Sequence, residues 1–166
     1  MKHQRGFSLL EVLIAIVIFS FGLLGLAGLQ LVSLSSNQSS GIRSTATTLA
    51  YDMADRMKAN MAGVIAGNYN GIAGADNACE AVHYDDVHSL PATCTVVQLA
   101  QDDVYDWKKT IAGLLPGGSG TVCIDSTPST AACDGMGISY AVRVSWIDKP
   151  KNEIAVTKSV AIGFQP

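Results

Sequence analysis

The fold is decided near the N-terminus, where residues 6–32 read GFSLLEVLIAIVIFSFGLLGLAGLQLV. From Val12 to Val32 nearly every residue is apolar, and no charged residue occurs between Val12 and Ile42. A helix that crosses a bilayer needs about 20 mostly apolar residues at a rise of about 1.5 Å each. The segment is long enough, and it predicts a single transmembrane helix.

The distribution of charge predicts the orientation of that helix. Lys2, His3 and Arg5 precede the apolar run, whereas the whole chain has 11 Lys and Arg against 14 Asp and Glu. By the positive-inside rule the first residues stay in the cytoplasm and the rest is exported to the periplasm. The chain has no basic stripe with interleaved aromatic residues, so no nucleic acid is predicted as a partner.

Glu11 is unusual for a plain membrane anchor. A carboxylate at the centre of an apolar helix costs roughly 2.5 to 3.5 kcal/mol on insertion scales, and less near the membrane edge. Two interpretations are open: Glu11 lies in the headgroup region and stays solvated, or it has a cationic partner. A third view of the segment is an ordinary secretory signal, in which Gly25-Leu26-Ala27 would imitate a cleavage site.

The stretch Gly6-Phe7-Ser8-Leu9-Leu10-Glu11-Val12-Leu13-Ile14-Ala15 resembles the class III signal of type IV prepilins and the related pseudopilins. The resemblance implies that prepilin peptidase cuts between Gly6 and Phe7, methylates the new amine of Phe7, and leaves the apolar segment on the mature protein. It also implies that Glu11 pairs with such an amine on a neighbouring subunit. In lipid or in a packed filament, an ion pair costs far less than two lone charges.

The domain prediction has four parts. It comprises a cleaved leader at residues 1–6, a transmembrane and filament-core helix at 7–32, an amphipathic continuation at 33–62, and a periplasmic globular domain at 63–166. On propensity alone, the Ser-rich residues 33–41 would form a linker. The resemblance instead implies one helix from Phe7 to about Asn60, roughly 80 Å long.

After the apolar run, a helical stripe faces a predicted core. Its members recur at spacings of three and four: Ile42, Ala46, Leu49, Met53, Met57 and Met61. On the other sides, Asp52 with Arg56 and Asp55 with Lys58 are spaced as ion pairs of a solvated face.

The rest of the chain predicts a small α+β domain of the pilin-like fold class, in which the long N-terminal helix packs on an antiparallel sheet with one further helix. That helix covers about residues 95–115, with Leu99, Trp107, Ile111 and Leu114 on or near one face and Trp107 in the core. Three strands follow at about 121–124, 138–147 and 153–164, and the turn at 148–152 joins the last two as a hairpin. Tyr140, Val142, Val144 and Trp146 are predicted on one face, which Val156, Val160 and Ile162 continue.

Residues 63–91 show no clear period and predict a long loop. Within it, His83, Asp85, Asp86 and His88 form the sequence HYDDVH. Two imidazoles and two carboxylates suit a divalent metal, but no helix holds them and no further ligand is evident. The prediction is therefore an exposed polar loop, with no metal and no cofactor.

Four cysteines, an even number, follow the apolar run and suit an oxidising compartment: Cys79, Cys94, Cys123 and Cys133. Three disulfide connectivities are possible. Cys79 with Cys94 and Cys123 with Cys133 are favoured because each pair is close in sequence. No C-x-x-C spacing occurs, so metal binding by these cysteines is the weaker interpretation.

The globular part adds a narrower resemblance. Residues 49–63, 102–123 and 140–148 resemble minor pilins of the PilV kind, which implies a structural subunit for type IV pilus assembly and initiation. The implied partners are prepilin peptidase, other minor pilins, the major pilin and inner-membrane lipid. The implied final location of the protein is the pilus or the cell surface. No G-x-S-x-G, H-E-x-x-H or phosphate-binding glycine loop occurs, so no enzyme is predicted. The alternatives are a pseudopilin of a type II secretion or DNA-uptake system and an anchored periplasmic binding module.

Overall fold

A computed structural model describes residues 9–79, 94–128, 132–148 and 154–166. Its elements are α1 (Leu9–Ala59), α2 (Met61–Ile65), α3 (Val96–Leu114), β1 (Ser119–Ile124), β2 (Tyr140–Asp148) and β3 (Val156–Phe164). The chain divides into two compact units, Met1–Ser40 and Gly41–Pro166. A long N-terminal helix, a three-stranded antiparallel sheet and one further long helix confirm the predicted fold class.

In the first unit, the described residues belong to α1 alone. The helix passes without a break through the Ser-rich residues 33–41, as the resemblance implied and propensity did not. Just beyond this stretch, the Thr45 and Thr47 hydroxyls donate to the Gly41 and Arg43 carbonyls at 3.1 and 2.9 Å. Such back-bonding satisfies the hydroxyl groups of these threonines within the helix.

In the second unit, the sheet has the strand order β1-β2-β3, with both pairs antiparallel. Its register places Val142 beside Val122 and Ile162, and Val144 beside Gly120 and Val160. Tyr140, Val142, Val144 and Trp146 are all buried, so the predicted alternation in β2 is confirmed. Four of the five residues predicted for the hairpin turn, 149–152, lie outside the described residues.

The core lies between the inner face of the sheet, α3 and the part of α1 that belongs to the second unit. Of the predicted stripe, Ala46, Leu49, Met53 and Met57 are buried, while Ile42 and Met61 are partly buried against the core. Trp107 and Ile111 are fully buried, as predicted. The stripe is therefore confirmed as the core-facing side of α1.

The C-terminal end of α3 differs from the prediction. Leu114 is 60% exposed, whereas Leu115, which was not assigned to the core, is buried. Leu115 is the C-cap residue, and its backbone is extended, with φ −115° and ψ 135°. Because the chain leaves helical geometry there, helical spacing no longer decides which side chain points inward.

The end of α1 and the start of the predicted loop also differ in detail. α1 ends at Ala59, and a one-turn helix, α2, covers Met61–Ile65. Asn60 separates them, and its side-chain oxygen accepts from the Gly63 N–H at 3.3 Å. The continuous helix that was predicted to end at about Asn60 ends one residue earlier, and the first residues of the predicted loop, 63–65, belong to α2 because Asn60 caps a new helix.

Candidate assembly site on α1

The first part of α1 presents apolar side chains on every side. Its large apolar residues are exposed by 46 to 86%: Leu9, Leu10, Val12, Leu13, Ile14, Ile16, Val17, Ile18, Phe19, Phe21, Leu23, Leu24, Leu26, Leu29, Leu31, Val32 and Leu34. α1 is long and apolar enough to cross a membrane. A helix that is apolar all round is stable only when lipid or other apolar helices surround it. Lipid or other subunits must therefore cover these apolar side chains, because no described residue of this chain does.

Glu11 lies in the first turn of α1, and its side chain is exposed. A shallow groove beside it is lined by Val12, Ala15, Ile16 and Phe19. Ala15 lies one turn after Glu11, and its small side chain leaves space next to the carboxylate. The N-terminal end of a helix dipole favours a negative charge, but this gain falls short of the cost of a bare carboxylate in lipid.

Ser20, a polar residue further along the apolar segment, differs from Glu11. The Ser20 hydroxyl donates to the Ile16 carbonyl at 2.7 Å, so it is satisfied inside the helix. Among the described residues, no side chain forms an ion pair or hydrogen bond with Glu11. The processing residues predicted from sequence, Gly6 and Phe7, lie outside the described residues. The carboxylate is therefore the polar group of this segment that is suited to an external cation.

In the second unit, α1 is held by a bond between two helices. The indole N–H of Trp107 on α3 donates to the Leu49 carbonyl on α1 at 2.7 Å, and the indole is fully buried. Gly120 of β1 makes room for this ring, since a β-carbon there would meet its edge. A buried indole that finds a carbonyl partner combines a large apolar contact with a satisfied N–H.

Polar contacts continue along the same helix pair. Arg56 on α1 lies 3.7 Å from the Asp103 carboxylate on α3, and the Asn60 amide donates to the Val96 carbonyl at 2.9 Å. Together with the Trp107 bond, these contacts show that α3 runs antiparallel to α1. The predicted surface pairs are also present, with Arg56 to Asp52 at 3.1 Å and Lys58 to Asp55 at 2.9 Å.

Tyr69 connects the loop after α2 to this helix pair. Its hydroxyl donates to the Asp103 carboxylate at 2.5 Å and accepts from the Asn60 amide at 3.1 Å. Burial, followed by the bond to Asp103, raises the pKa of Tyr69 well above its usual value. Burial also raises the pKa of Asp103, while Tyr69 and Arg56 oppose this effect. The cluster therefore holds three segments together at a partly buried carboxylate.

Two side chains of α3 hold the loop that leads to Cys79. The buried Asp102 carboxylate accepts from the backbone N–H groups of Asn77 and Cys79 at 2.6 and 3.1 Å. The Lys108 ammonium donates to the Ile72 and Ala73 carbonyls at 3.0 and 3.1 Å, and burial lowers the pKa of Lys108. The α3 side chains therefore bind backbone groups of the loop at residues 72–79. Because every residue type has such groups, these contacts leave no pattern in the sequence of the loop.

The cysteines form the two pairs that the sequence favoured. Cys79 is bonded to Cys94, and Cys123 to Cys133. The second disulfide closes the segment after β1, where the buried Asp125 carboxylate lies 3.9 Å from the Arg143 guanidinium of β2. Asp134 accepts from the Ser126 and Met136 N–H groups at 3.0 and 2.8 Å and also from the Ser126 hydroxyl, and these bonds lower the pKa of Asp134.

The HYDDVH stretch is the remaining group of candidate residues. His83, Asp85, Asp86 and His88 lie outside the described residues. Within the described ranges, no group of three or more His, Cys, Asp or Glu side chains is placed to hold a metal ion. Sequence reasoning missed Asn60, Tyr69, Asp102 and Asp103, and only the position of Asn60 at the end of the helical stripe gave a signal for any of them.

Comparison with known proteins gives two matches that follow one another along the chain. Residues 1–27 match the family model of the prokaryotic N-terminal methylation motif, and residues 28–105 match that of type IV pilin Tt1218. No curated protein and no solved structure matches the chain significantly. The methylation motif covers Glu11 and the apolar segment as far as Ala27, and the second match covers the rest of that segment, the core-facing part of α1 and about half of α3. Together with the long helix packed on an antiparallel sheet, these two matches support a type IV pilin-like protein.

Proposed function

We propose that the chain is a minor pilin that helps to initiate and assemble a type IV pilus. The observation that carries the proposal is the uncovered, all-round apolar half of α1 with one carboxylate in its first turn. The second half of the same helix belongs to a folded unit with a core of its own. A subunit that is stored in a membrane and then packed helix against helix needs both an exposed apolar helix and a separate folded unit.

The proposed mechanism begins in the inner membrane. The apolar segment holds the precursor there with its N-terminus in the cytoplasm and residues 63–166 in the periplasm. Prepilin peptidase cuts between Gly6 and Phe7, where glycine lets the backbone lie extended in a narrow protease cleft. The cut creates an amine on Phe7, which the enzyme methylates.

Assembly then moves the segment from lipid into a bundle of similar helices. The Glu11 carboxylate pairs with the Phe7 amine of a neighbouring subunit, which removes the cost of a lone charge in an apolar surrounding. A mismatched register would leave both charges unpaired. Glu11 therefore sets the axial position of each incoming subunit, and the matching partners are other minor pilins and the major pilin of the PilV-type assembly.

The test compares Glu11→Gln, which keeps the size and removes the charge, with Ser20→Ala in the same apolar segment. Ser20 is a suitable control because its hydroxyl is already satisfied within the helix. In cells that carry only the variant gene, Glu11→Gln should be processed normally, while its amount in sheared pili falls at least tenfold. Ser20→Ala should match the wild type. Normal incorporation of Glu11→Gln would contradict the pairing role.

The processing step has its own test. A bulky side chain, as in Gly6→Leu, should block cleavage, so the precursor keeps its leader and accumulates in the membrane. Gly6→Ala is the milder comparison and should be cleaved more slowly. Processing of Gly6→Leu at the wild-type rate would place the cut elsewhere.

A further inference from the structure

The folded unit Gly41–Pro166 has one end at which α1 enters it. The Trp107 indole of α3 is bonded to the Leu49 carbonyl of α1. Ile42 lies seven residues before Leu49, and Leu114 lies seven residues after Trp107. Because the two helices run antiparallel, these equal steps bring Leu114 and Ile42 to about the same level. The C-terminal end of α3 is therefore at the end of the folded unit where the chain arrives from the apolar segment.

The same end of the folded unit carries exposed apolar side chains. The Ile147 N–H of β2 donates to the Pro116 carbonyl at 2.8 Å, and a β-carbon on Gly117 would meet the Ile147 side chain, so Ile147 lies against the end of α3. Val156 of β3 is the register partner of Asp148, the next residue of β2, and Ile154 shortly precedes it. We call four residues the entry-end patch, and their exposed fractions are 60% for Leu114, 44% for Ile147, 89% for Ile154 and 51% for Val156.

A lipid bilayer is the surface that the chain itself brings to this end. The exposed apolar side chains of the first unit continue to Leu34, and α1 remains helical through the eight residues that follow, to Ile42. Eight residues of helix are about 12 Å long. Arg43 is the first charged residue after Glu11, and it is exposed. Since an arginine that flanks an apolar span reaches for lipid headgroups, a membrane that holds the apolar segment lies within reach of the entry-end patch.

The charge and size of the entry-end patch suit a weak, reversible contact with lipid. Lys158 and Asp148, which lie beside Val156, form an ion pair with each other, so their charges largely cancel. A few apolar side chains at a bilayer surface bind only weakly by themselves. A short tether, however, holds the second contact at an effective concentration of about 1 mM or more. The patch therefore needs little affinity of its own, and it is released easily when the subunit leaves the bilayer.

We infer that the entry-end patch docks on the periplasmic leaflet of the inner membrane while the subunit is held there before assembly. Its four apolar side chains enter the boundary between headgroups and acyl chains, and Arg43 lies at the level of the headgroup phosphates. The contact is apolar in character, so a zwitterionic lipid is sufficient. This inference rests on the proposed function, because it requires the apolar segment to span the membrane with the folded unit on the periplasmic side.

Paramagnetic relaxation in lipid nanodiscs tests the docking. The full-length chain, with isotope-labelled isoleucine methyl groups, is placed one copy per disc in phosphatidylcholine that includes a lipid with a nitroxide near the top of an acyl chain. Ile138 is the matched control, because it is 70% exposed and lies at the other end of β2, about 30 Å from Ile147. The Ile147 and Ile154 methyl groups should relax at least tenfold faster than that of Ile138. Equally slow relaxation of all three in an inserted chain would overturn the docking and leave the pilin role intact, whereas a chain that does not insert would overturn both.

A matched pair of substitutions separates docking from mere nearness to the bilayer. Ile154→Gln removes the most exposed apolar side chain of the entry-end patch, and Ile138→Gln makes the same change at the other end of β2. Both side chains are largely exposed, so both variants should melt like the wild type. Ile154→Gln should reduce the lipid-induced relaxation of the Ile147 methyl group at least threefold, whereas Ile138→Gln should leave it unchanged. An unchanged rate in Ile154→Gln, or a patch that is shielded in assembled pili and not in the discs, would contradict lipid as its partner.

Discussion

The two compact units of this chain differ in how their apolar side chains are placed. In Leu9–Ser40, large apolar side chains are exposed all around one helix. In Gly41–Pro166, apolar side chains of α1, α3 and the sheet bury one another, and two disulfides add covalent links. One continuous helix, α1, takes part in both units.

The contrast shows that what surrounds a residue, and not its helical state, separates the two regions. A side chain in the folded unit is stabilised by partners within the same chain. A side chain in the apolar segment gains as much only when lipid or a neighbouring subunit covers it. Substitutions of similar size should therefore act on folding in one region and on assembly in the other.

The largest expected effect on stability comes from a pair of aromatic truncations. Trp107→Ala should destabilise the folded unit by about 3 to 5 kcal/mol, because it leaves a cavity and removes the bond to Leu49. Phe21→Ala in the apolar segment is the matched control and should leave that unfolding transition unchanged, since Phe21 is 72% exposed. Thermal unfolding of the full chain in detergent, followed by near-ultraviolet circular dichroism, measures both. A similar loss in the two variants would break the distinction between the regions.

The disulfides should have the next largest effect. In the loop-entropy model, replacing both cysteines of either pair with serine lowers the stability by about 3 kcal/mol. The two double variants should be similar, because their cysteines are separated by 15 and 10 residues. Denaturant titration of oxidised and reduced protein is the measurement. A variant as stable as the wild type in its oxidised form would show that the corresponding disulfide contributes nothing.

The Asp103 cluster predicts a dependence on pH that is confined to the folded unit. Because burial raises the pKa of Asp103, the folded protein retains this proton at pH values where the unfolded chain has lost it. The contribution of Asp103 to stability should therefore grow as the pH falls from above the raised pKa toward the ordinary value of 3.8, and it should be lost as the pH rises. Asp103→Asn, which can still accept from Tyr69, removes this titration.

The pH experiment compares the unfolding free energy of the wild type with that of Asp103→Asn across the acidic range. The difference should move in favour of the wild type as the pH falls. A difference that is constant with pH, or one that moves the other way, would contradict the assignment of a raised pKa to a buried carboxylate.

The smallest effect is expected on the solvated side of α1. Asp55→Ala removes the ion pair between Asp55 and Lys58. The Asp55 side chain is 71% exposed and that of Lys58 is 58% exposed. Exposed pairs at this spacing contribute about 0.2 to 0.5 kcal/mol. A loss of more than about 1 kcal/mol in denaturant titration would mean that this side of α1 has a structural partner.

Periodic patterns were enough to predict much of this fold. The charge-free run identified the apolar half of α1, the spacing of Ala46, Leu49, Met53 and Met57 identified its core-facing side, and the alternation in β2 identified the inner face of the sheet. Each of these signals repeats along one element, so a single sequence displays it.

The contacts that hold the folded unit together were less accessible to sequence reasoning. The bonds of Asn60 to Val96, Tyr69 to Asp103 and Trp107 to Leu49 join residues 36, 34 and 58 positions apart. Asp102 binds backbone N–H groups, which any residue type supplies. Polar residues whose partners lie far away in the sequence produce no period, so a single sequence does not show which groups they bind.

The functional features of the chain were also only partly predictable from its sequence. Glu11 stands out because a carboxylate is out of place in an apolar run, and its proposed partner was suggested by resemblance. The cover of the β1 edge could not be predicted, because Asn70 and Gly71 reach it from a loop whose sequence shows no period.

The most direct measurement is intact-mass and N-terminal sequencing mass spectrometry of the protein isolated from cells. We expect a polypeptide that begins at N-methylated Phe7 and keeps Glu11 and the whole apolar segment. A mature chain that begins at Gly28, without that segment, would contradict it.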